Sequence, residues 1–268
     1  MEKIRIDTFL VEHGYFNTRE KARRTIMAGL VFVDNQKIDK PGTKIKRDSE
    51  ILVKGNPIPY VSRGGLKLEK AIKEFNISLN NKICFDIGAS TGGFTDCMLQ
   101  NNAKMVYAID VGYGQLDWKL RQDPRVVVME RTNIRYVESK DIEELGDFAS
   151  IDVSFISLRL VLPVMKKLLK PSSNIVALIK PQFEAGREKV GKKGVVKDIA
   201  THKEVVKDIL TFTKSLDLKI IGFSYSPIKG PEGNIEYLLY ISDKSNDSIE
   251  ITEDNVNRII EVSHEELN

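Results

Sequence analysis

Residues 86–96 read DIGASTGGFTD, and this glycine-rich stretch decides the fold. It lies between an apolar run that predicts a strand over residues 82–87 and a segment that predicts a helix over residues 93–101. Glycines let the backbone turn sharply and let a ligand lie against it without a Cβ in the way. In open α/β sheets, ligands bind at the carboxyl ends of the strands. The stretch therefore predicts a parallel sheet with a ligand site at this loop.

Outward from this loop, strands and helices alternate along the chain. Strands are predicted at residues 82–87, 104–110, 125–129, 148–153 and 174–180, and helices at 93–101, 115–121, 158–169 and 201–216. A further helix opens at Arg63 and runs to about Phe75. Strands 218–226 and 235–242, joined by GPEG at residues 230–233, predict an antiparallel hairpin at the sheet edge. Seven mostly parallel strands covered by helices on both faces follow from this pattern, which fits a methyltransferase sheet better than a six-stranded dinucleotide fold.

A carboxylate follows the second strand. Asp110 comes twenty-two residues after Gly88 and can accept both hydroxyls of an adenosine ribose. That spacing does not separate NAD from S-adenosylmethionine, since both carry the ribose. The loop reads G-x-S-x-G-G, so a serine replaces the glycine that approaches a pyrophosphate in dinucleotide folds. A merely tight strand–helix turn without a ligand is the alternative interpretation.

Charged residues also end two other strands. Asp152 ends the fourth parallel strand, and Lys180 ends the fifth, directly before a proline. Neighbouring parallel strands place these two side chains in one cleft beside the glycine loop. Lys67 comes from the helix before the first strand, and Glu236 from the start of the last strand. Each residue alone is typical of an ordinary surface charge or ion pair, and only their convergence favours a site.

The first sixty residues predict a separate small module. Helices fit residues 5–13 and 19–28, the second capped by Asn17 or Thr18, and short strands fit residues 31–33 and 51–53. Basic residues cluster on the outer face of the second helix. An ordinary solvated charged surface would explain them without any partner. Residues 55–59 read GNPIP, which cannot continue a helix or a central strand and so form a linker.

Composition limits the class of protein. Apolar residues make up 41% and charged residues 29%, no apolar run approaches the roughly 18 residues of a membrane helix, and the N-terminus is charged, so we expect a cytoplasmic protein. The two cysteines are expected to be reduced, and the three dispersed histidines predict no metal. Residues 1–60 carry twelve Lys or Arg and eight Asp or Glu, whereas residues 243–268 carry two and eight. A basic body with an acidic tail suits a polyanionic partner.

Several ordered motifs carry a family resemblance. RGGLKL at residues 63–68, the glycine loop, DVSFIS at 152–157, KPQFE at 180–184 and GKKGVVKD at 191–198 resemble the TlyA (haemolysin A) family of ribosomal RNA 2′-O-methyltransferases. The catalytic part is similar to the FtsJ-like methyltransferases, which use a Lys-Asp-Lys-Glu tetrad. TREKA at residues 18–22, GLVFV at 29–33 and KPG at 40–42 resemble an S4-like RNA-binding fold. The resemblance covers about residues 3–242.

The resemblance implies a domain plan, a cofactor and residue roles. It implies a Rossmann-like class I methyltransferase domain at residues 62–243 behind a small α+β S4-like domain at residues 1–54, with a linker at 55–61 and an acidic tail at 244–268. The cofactor is expected to be S-adenosylmethionine. The implied catalytic residues are Lys67, Asp152, Lys180 and Glu236. The expected cofactor-binding residues are Asp86, Gly88, Ala89, Ser90, Thr91, Gly92, Gly93, Phe94 and Asp110. The expected RNA-binding residues are Arg5, Arg19, Lys21, Arg23, Arg24, Lys37 and Arg63.

A mechanism accompanies these roles. Lys180 is expected to engage the ribose 2′-hydroxyl, as a neutral base or as an orienting cation, with Asp152 positioning it. The implied targets are cytidines of ribosomal RNA within the small and large ribosomal subunits, and a monomer without membrane contact is the default expectation.

Three alternatives stay open at this point. A nicotinamide-dependent oxidoreductase would leave the lysine pair and the front module unexplained. An RNA-binding ribosome-assembly factor with a catalytically silent cofactor pocket is the stronger rival. A membrane-damaging haemolysin is the third alternative, which the family's other name suggests. The sequence argues against it, because it contains no spanning or strongly amphipathic apolar segment.

Overall fold

The fold is that of a computed structural model, which describes residues 3–16, 18–54, 58–243 and 251–267. The chain divides into two compact units, Met1–Arg63 and Gly64–Asn268. The predicted capping by Asn17 and the Gly55–Pro57 part of the predicted linker lie outside the described residues. Each unit is described by itself.

The N-terminal unit is a small α+β fold. Its elements, in chain order, are β1 (Lys3–Arg5), α1 (Ile6–Glu12), α2 (Arg19–Met27), β2 (Val31–Val33), β3 (Gln36–Ile38), β4 (Lys44–Lys46) and β5 (Ile51–Val53). β1 pairs antiparallel with β4, and β2 lies between β3 and β5. The hydroxyl of Thr18 accepts a hydrogen bond from the amide of Lys21 and so caps α2, as predicted. Ile6, Leu10 and Ile26 are fully buried and form the core.

The C-terminal unit is built on one seven-stranded sheet. Its strands are β6 (Ile83–Ile87), β7 (Met105–Ile109), β8 (Val126–Met129), β9 (Gly146–Ile151), β10 (Leu169–Ile179), β11 (Lys219–Tyr225) and β12 (Tyr237–Ser242). The strand order is β11-β12-β10-β9-β6-β7-β8, and β12 alone runs antiparallel to the other six strands. This confirms the predicted seven-stranded, mostly parallel sheet with its closing hairpin.

Helices cover both faces of this sheet. They are α3 (Gly65–Glu74), α4 (Gly93–Gln100), α5 (Trp118–Arg121), α6 (Leu158–Leu168), α7 (Pro181–Glu184), α8 (Ile199–Ser215) and α9 (Glu253–Leu267). The central strands are almost entirely buried, for example β6 at all five positions, because helices shield both faces of the sheet from water. α5 begins at Trp118, three residues later than predicted, and β10 begins at Leu169, five residues earlier.

The sheet order reverses at β6, which places the site. β7 and β8 lie on one side of β6, and β9 and β10 lie on the other. The loops after β6 and β9 therefore diverge at this switch point, where open α/β sheets bind ligands. The amide of Asp152 donates to the carbonyl of Ile87 at 2.9 Å, so the two loops start from paired strand ends.

The acidic C-terminal segment corrects an expectation. We predicted a tail at residues 244–268 without a readable motif, whereas residues Glu253–Leu267 form α9, which packs on α8 and β11. Val256, Ile260 and Ser263 are buried at helical spacing. Its acidic face pairs with lysines of α8, for example Lys203 with Glu261 at 2.7 Å. Part of the negative charge of this segment therefore lies on the surface of a folded helix.

Candidate active site

The glycine loop after β6 needs glycine at two positions. Gly88 has φ +85°, and a Cβ there would lie 2.6 Å from the carbonyl oxygen of Asp152. Gly92 has φ +90° and precedes the first turn of α4, where a Cβ would meet the side chains of Leu116 and Leu120. Both positions have a left-handed backbone, and at Gly88 the contact is with backbone, which leaves no room for a Cβ. The loop is thus a cradle pressed against the end of β9.

Only part of the loop faces solvent. Ser90 and Thr91 are exposed, and Gly88 is half-buried. The other four loop residues predicted to bind the cofactor are buried: Ala89, Gly92, Gly93 and Phe94. Ser90 has φ +48°, and its hydroxyl lies 3.3 Å from the amide oxygen of Gln115. The open surface of the loop therefore consists of backbone and two hydroxyls.

Asp110 stands at the end of β7 beside this loop. Its Oδ2 accepts a hydrogen bond from the amide of Ser90 at 2.8 Å, and its Oδ1 accepts one from the amide of Gly112 at 2.7 Å. Each carboxylate oxygen keeps a second acceptor position for a hydroxyl. The residue thus fixes the glycine loop and remains able to accept from a ribose.

Asp86 is withdrawn from the open surface. Its side chain is buried, and its Oδ2 accepts from both the amide and the hydroxyl of Thr95, at 2.8 and 2.6 Å. Burial raises the pKa of Asp86 to about 7, against the lowering effect of the Thr95 hydrogen bonds. What this side chain can contribute to a cofactor site is to hold α4 and the loop in place.

Four charged side chains meet at the carboxyl edge of the sheet. Lys180 Nζ lies 2.5 Å from Asp152 Oδ1, and Lys67 Nζ lies 3.2 Å from Asp152 Oδ2. Lys67 Nζ also lies 2.6 Å from Glu236 Oε2. The structure thus brings together Asp152 and Lys180, which the strand pattern predicted for one cleft, with Lys67 and Glu236, which the family resemblance added.

The quartet is electrically balanced and almost dry. Burial alone would lower the pKa of Lys67, but the carboxylates of Asp152 and Glu236 outweigh burial and leave that pKa raised. Burial would likewise raise the pKa of Asp152, yet the two lysines hold it below its usual value. Two cations and two anions therefore stabilise one another in a low-dielectric setting.

Lys180 is the cation of the quartet that faces open space. It lines a cleft of about 620 Å³, whereas Lys67 does not. Ser154 adds a hydroxyl 3.3 Å from Lys180 Nζ. Phe155 is 91% exposed with φ +62°, and its ring lies 5.0 Å from that of Phe183. These residues lie inside the motifs DVSFIS and KPQFE but had no predicted role, because an exposed aromatic cannot be told from a buried one without the fold.

The N-terminal residues predicted to bind RNA differ in what they do. Arg5 and Arg19 both pair with the buried carboxylate of Asp7, at 2.9 and 3.0 Å, and the Arg5 guanidinium lowers the pKa of Asp7 to about 2. Arg24 pairs with Glu20. The remaining predicted cations are exposed: Lys21, Arg23, Lys37 and Arg63. Arg5 and Arg19 thus also hold the fold of this unit.

The described residues contain neither a membrane-spanning helix nor a cluster of metal ligands. No helix there is long and apolar enough to cross a membrane. Within the same ranges, no group of three or more His, Cys, Asp or Glu is placed to hold a metal ion. His202 and His264 do meet, with ring centroids 4.7 Å apart, although they lie 62 positions apart in the chain.

Comparison with known proteins gives consistent matches. The FtsJ-like methyltransferase model matches residues 60–242, and the S4 domain model matches residues 4–51. YqxC of Bacillus subtilis, provisionally named an rRNA methyltransferase, is 56% identical over 99% of this chain and 96% of its own. A protein of Mycobacterium tuberculosis named 16S/23S rRNA (cytidine-2′-O)-methyltransferase TlyA is 40% identical over 96% of this chain and 97% of its own.

Solved structures agree. A structure from Streptococcus thermophilus, provisionally named a hemolysin, is 48% identical, covers 99% of this chain and 97% of its own, and superimposes with a TM-score of 0.78. A structure from Listeria monocytogenes, provisionally named an S-adenosylmethionine-dependent methyltransferase, shares the fold at 17% identity and a TM-score of 0.51, over 68% of this chain and 99% of its own.

The sheet order, the glycine cradle and Asp110 define an S-adenosylmethionine-dependent methyltransferase of the Rossmann-like class. Residues of the site fit that cofactor, since the Gly88 cradle excludes a Cβ and Asp110 can still accept from ribose hydroxyls. With both models matched in order and relatives aligned over nearly the whole chain, the chain belongs to the TlyA (haemolysin A) family of FtsJ-like methyltransferases.

The cradle predicts a sharp loss of cofactor affinity in Gly88→Ala. The added methyl group meets the Asp152 carbonyl in a backbone conformation that alanine resists, so we expect the Kd for S-adenosylmethionine to rise at least tenfold in calorimetry. Gly14→Ala is the matched control, because Gly14 has φ +75° with nothing within 4 Å of the added Cβ. Equal cofactor affinity in the two variants would contradict this account of the loop.

Asp86 predicts a specific pH dependence of stability. Its folded pKa of about 7 exceeds the value near 3.9 expected in the unfolded chain, so the folded state binds the extra proton. The free energy of unfolding should therefore fall as pH rises from 4 to 7, by up to about 4 kcal/mol, and Asp86→Asn should flatten this dependence. Urea unfolding at pH 5 and pH 8 measures it, with exposed Asp217→Asn as the control. A variant curve that parallels the wild type would refute the assignment.

Proposed function

We propose that the protein transfers a methyl group from S-adenosylmethionine to the 2′-hydroxyl of a ribose in ribosomal RNA. The observation that carries the proposal is the balanced quartet beside the glycine cradle, with Lys180 alone of its two cations on the cleft. The name of a relative aligned over nearly the whole chain points to cytidines of 16S and 23S ribosomal RNA as the target class.

The chemistry asks little of the protein beyond alignment and proton handling. S-adenosylmethionine, when bound, supplies an activated methyl group. Lys180 Nζ engages the 2′-hydroxyl in the cleft, and Asp152 and Ser154 fix Nζ from behind at 2.5 and 3.3 Å. Lys67 holds Asp152 and Glu236 in place, so that the quartet is set before the substrate arrives.

The cleft suits a nucleotide removed from its stack. The rings of Phe155 and Phe183 border the open space in front of Lys180, and aromatic faces accept unstacked bases. A base inside a helix must leave its stack to reach such a site, at a cost of a few kcal/mol. Selection of RNA over DNA follows from the 2′-hydroxyl, which DNA lacks.

The N-terminal unit supplies phosphate contacts in this proposal. Its exposed cations Lys21, Arg23 and Lys37 are available, and Arg5 and Arg19 present guanidinium groups that are about half exposed while paired with Asp7. Such contacts set register and fall steeply with salt. In this proposal the protein acts as a monomer on ribosomal subunits. Light scattering of the free protein and of its complex with a subunit tests this stoichiometry.

The position of the methyl group tests the proposal directly. RNA labelled by the enzyme with methyl-labelled cofactor is digested with alkali, which cleaves only after a free 2′-hydroxyl. Label recovered in an alkali-resistant dinucleotide supports ribose methylation. Label recovered in mononucleotides places the methyl group on a base and contradicts it.

A further inference from the structure

The segment Gly191–Asp198, which reads GKKGVVKD, has no part in the function described so far. Backbone hydrogen bonds within the segment hold its turns. The amide of Gly194 donates to the carbonyl of Gly191 at 2.8 Å, and the amide of Gly191 donates to the carbonyl of Val195 at 3.1 Å. Gly194 lines the same cleft as Lys180 and Glu236. The segment is therefore an ordered wall of the cleft.

Val196 is where this segment is fastened. Its amide donates to Asn234 Oδ1 at 3.0 Å, and its carbonyl lies 2.9 Å from His202 Nε2. Asn234 Nδ2 also donates to the carbonyl of Gly194 at 2.9 Å. Asn234 and His202 are both buried, so these hydrogen bonds are shielded from water. Both polar backbone atoms of Val196 are thus held by side chains from other elements.

The same two side chains connect the segment to the chain on either side of Glu236. Asn234 precedes it by two residues, and His202 Nδ1 lies 2.7 Å from the hydroxyl of Tyr237, which follows it. The turn that precedes Glu236 packs closely against its carboxylate, since a Cβ on Gly230 would lie 2.7 Å from Glu236 Oε1. The segment 191–198 is therefore tied by hydrogen bonds to residues that lie next to Glu236 in the chain.

Cations of this segment lack partners. Lys192, Lys193 and Lys197 are exposed, and none forms an ion pair with any residue that the structure describes. Lysines nearby behave differently: Lys189 pairs with Glu204 at 2.5 Å, and Lys207 pairs with Glu253 at 3.0 Å. Three unpaired charges on a braced loop that contributes Gly194 to the cleft favour a polyanion.

We propose that the segment 191–198 binds phosphodiesters of the RNA strand that flanks the target nucleotide, and that Asn234 is a positioning residue that joins this wall to Glu236. The inference rests on the proposed function and adds to it a binding site on the methyltransferase unit itself. Phosphate contact at Lys192, Lys193 and Lys197 then holds the strand on the same rigid support that places the quartet.

The first test measures binding without chemistry. The triple variant Lys192→Ala/Lys193→Ala/Lys197→Ala is compared with Lys167→Ala/Lys214→Ala/Lys219→Ala. The second triple removes equal charge at the amino edge of the sheet, where α6 and α8 end and β11 begins. The probes are purified ribosomal subunits that lack the modification. We expect the first triple to raise the Kd at least tenfold near 150 mM salt and to reduce the salt slope of log Kd by about 2.

Affinity and salt slope that are equal in the two triples would overturn the phosphate site. Because binding is measured directly, this result is separate from any failure of methyl transfer in the wild-type protein.

The second test addresses Asn234. In Asn234→Leu the segment loses both side-chain hydrogen bonds, and we expect single-turnover transfer at saturating RNA to fall at least tenfold per cofactor-binding site. The Kd for S-adenosylmethionine should stay within twofold. Asn234→Ser, which leaves more room, serves if the leucine variant fails to fold. A merely structural role would lower the amount of folded protein but leave the rate per cofactor-binding site unchanged, and that outcome would overturn the positioning role.

Discussion

Lys180→Ala should abolish useful methyl transfer while leaving the affinity for S-adenosylmethionine within about twofold. The substitution removes the amine that faces the cleft, and a positioned acid–base group is typically worth about 10²–10⁴ in rate. The glycine cradle and Asp110 are untouched, because their contacts run along β6, β7 and the end of β9. Single-turnover transfer and calorimetric cofactor binding measure the two effects separately.

Two companion variants sharpen this result. Lys167→Ala removes an exposed lysine at the far end of α6 and should transfer at the wild-type rate. Lys180→Arg keeps a cation beside Asp152 but cannot act as a neutral base. Activity in the arginine variant shows that an orienting cation suffices, whereas an inactive arginine variant favours a base. Loss of cofactor binding in Lys180→Ala would contradict the role assigned to this residue.

Lys67→Met should destabilise the protein by about 3–5 kcal/mol, the second large effect. Lys67 is the cation paired with Glu236, whose carboxylate is fully buried, so the substitution leaves a buried charge without compensation. Adding Glu236→Gln removes that charge and should restore at least half of the lost free energy of unfolding. Chemical denaturation measures both.

The double variant separates structure from catalysis. Lys67→Met/Glu236→Gln should fold well yet remain inactive, since the quartet that positions Lys180 is gone. Lys70→Met is the matched control, because Lys70 lies on the same helix, is not part of the quartet and should cost little. If the double variant is no more stable than Lys67→Met, coupling within the quartet is absent and its description as a balanced charge unit is wrong.

The sheet was predictable because its signal is local. Continuous apolar strands, helical periodicity and the glycine loop at residues 86–96 each reflect burial or backbone geometry that neighbouring residues determine. The antiparallel hairpin predicted at the sheet edge followed from the GPEG turn at residues 230–233. Three short strands of the N-terminal unit escaped prediction, since three residues rich in Lys carry no period. α9 also escaped, although Val256, Ile260 and Ser263 give it an apolar stripe that a helical reading of an acidic segment could have found.

The candidate site was only partly predictable for a different physical reason. Asp152 and Lys180 end adjacent parallel strands, so their meeting follows from the fold, and the family resemblance supplied Lys67 and Glu236. The structure brings the four side chains together, and their catalytic roles remain predictions. The backbone of Val196 is held by the side chains of Asn234 and His202, which lie 38 and 6 positions away in the chain. No local sequence pattern indicates these hydrogen bonds.

Transfer of labelled methyl groups from S-adenosylmethionine to purified small and large ribosomal subunits lacking the modification tests the central claim most directly. The wild-type protein and Lys180→Ala are run side by side at equal cofactor occupancy. The account predicts label in ribosomal RNA with the wild-type protein and none with the variant. Label that persists in Lys180→Ala, or no label on either subunit despite measurable cofactor binding, would contradict it.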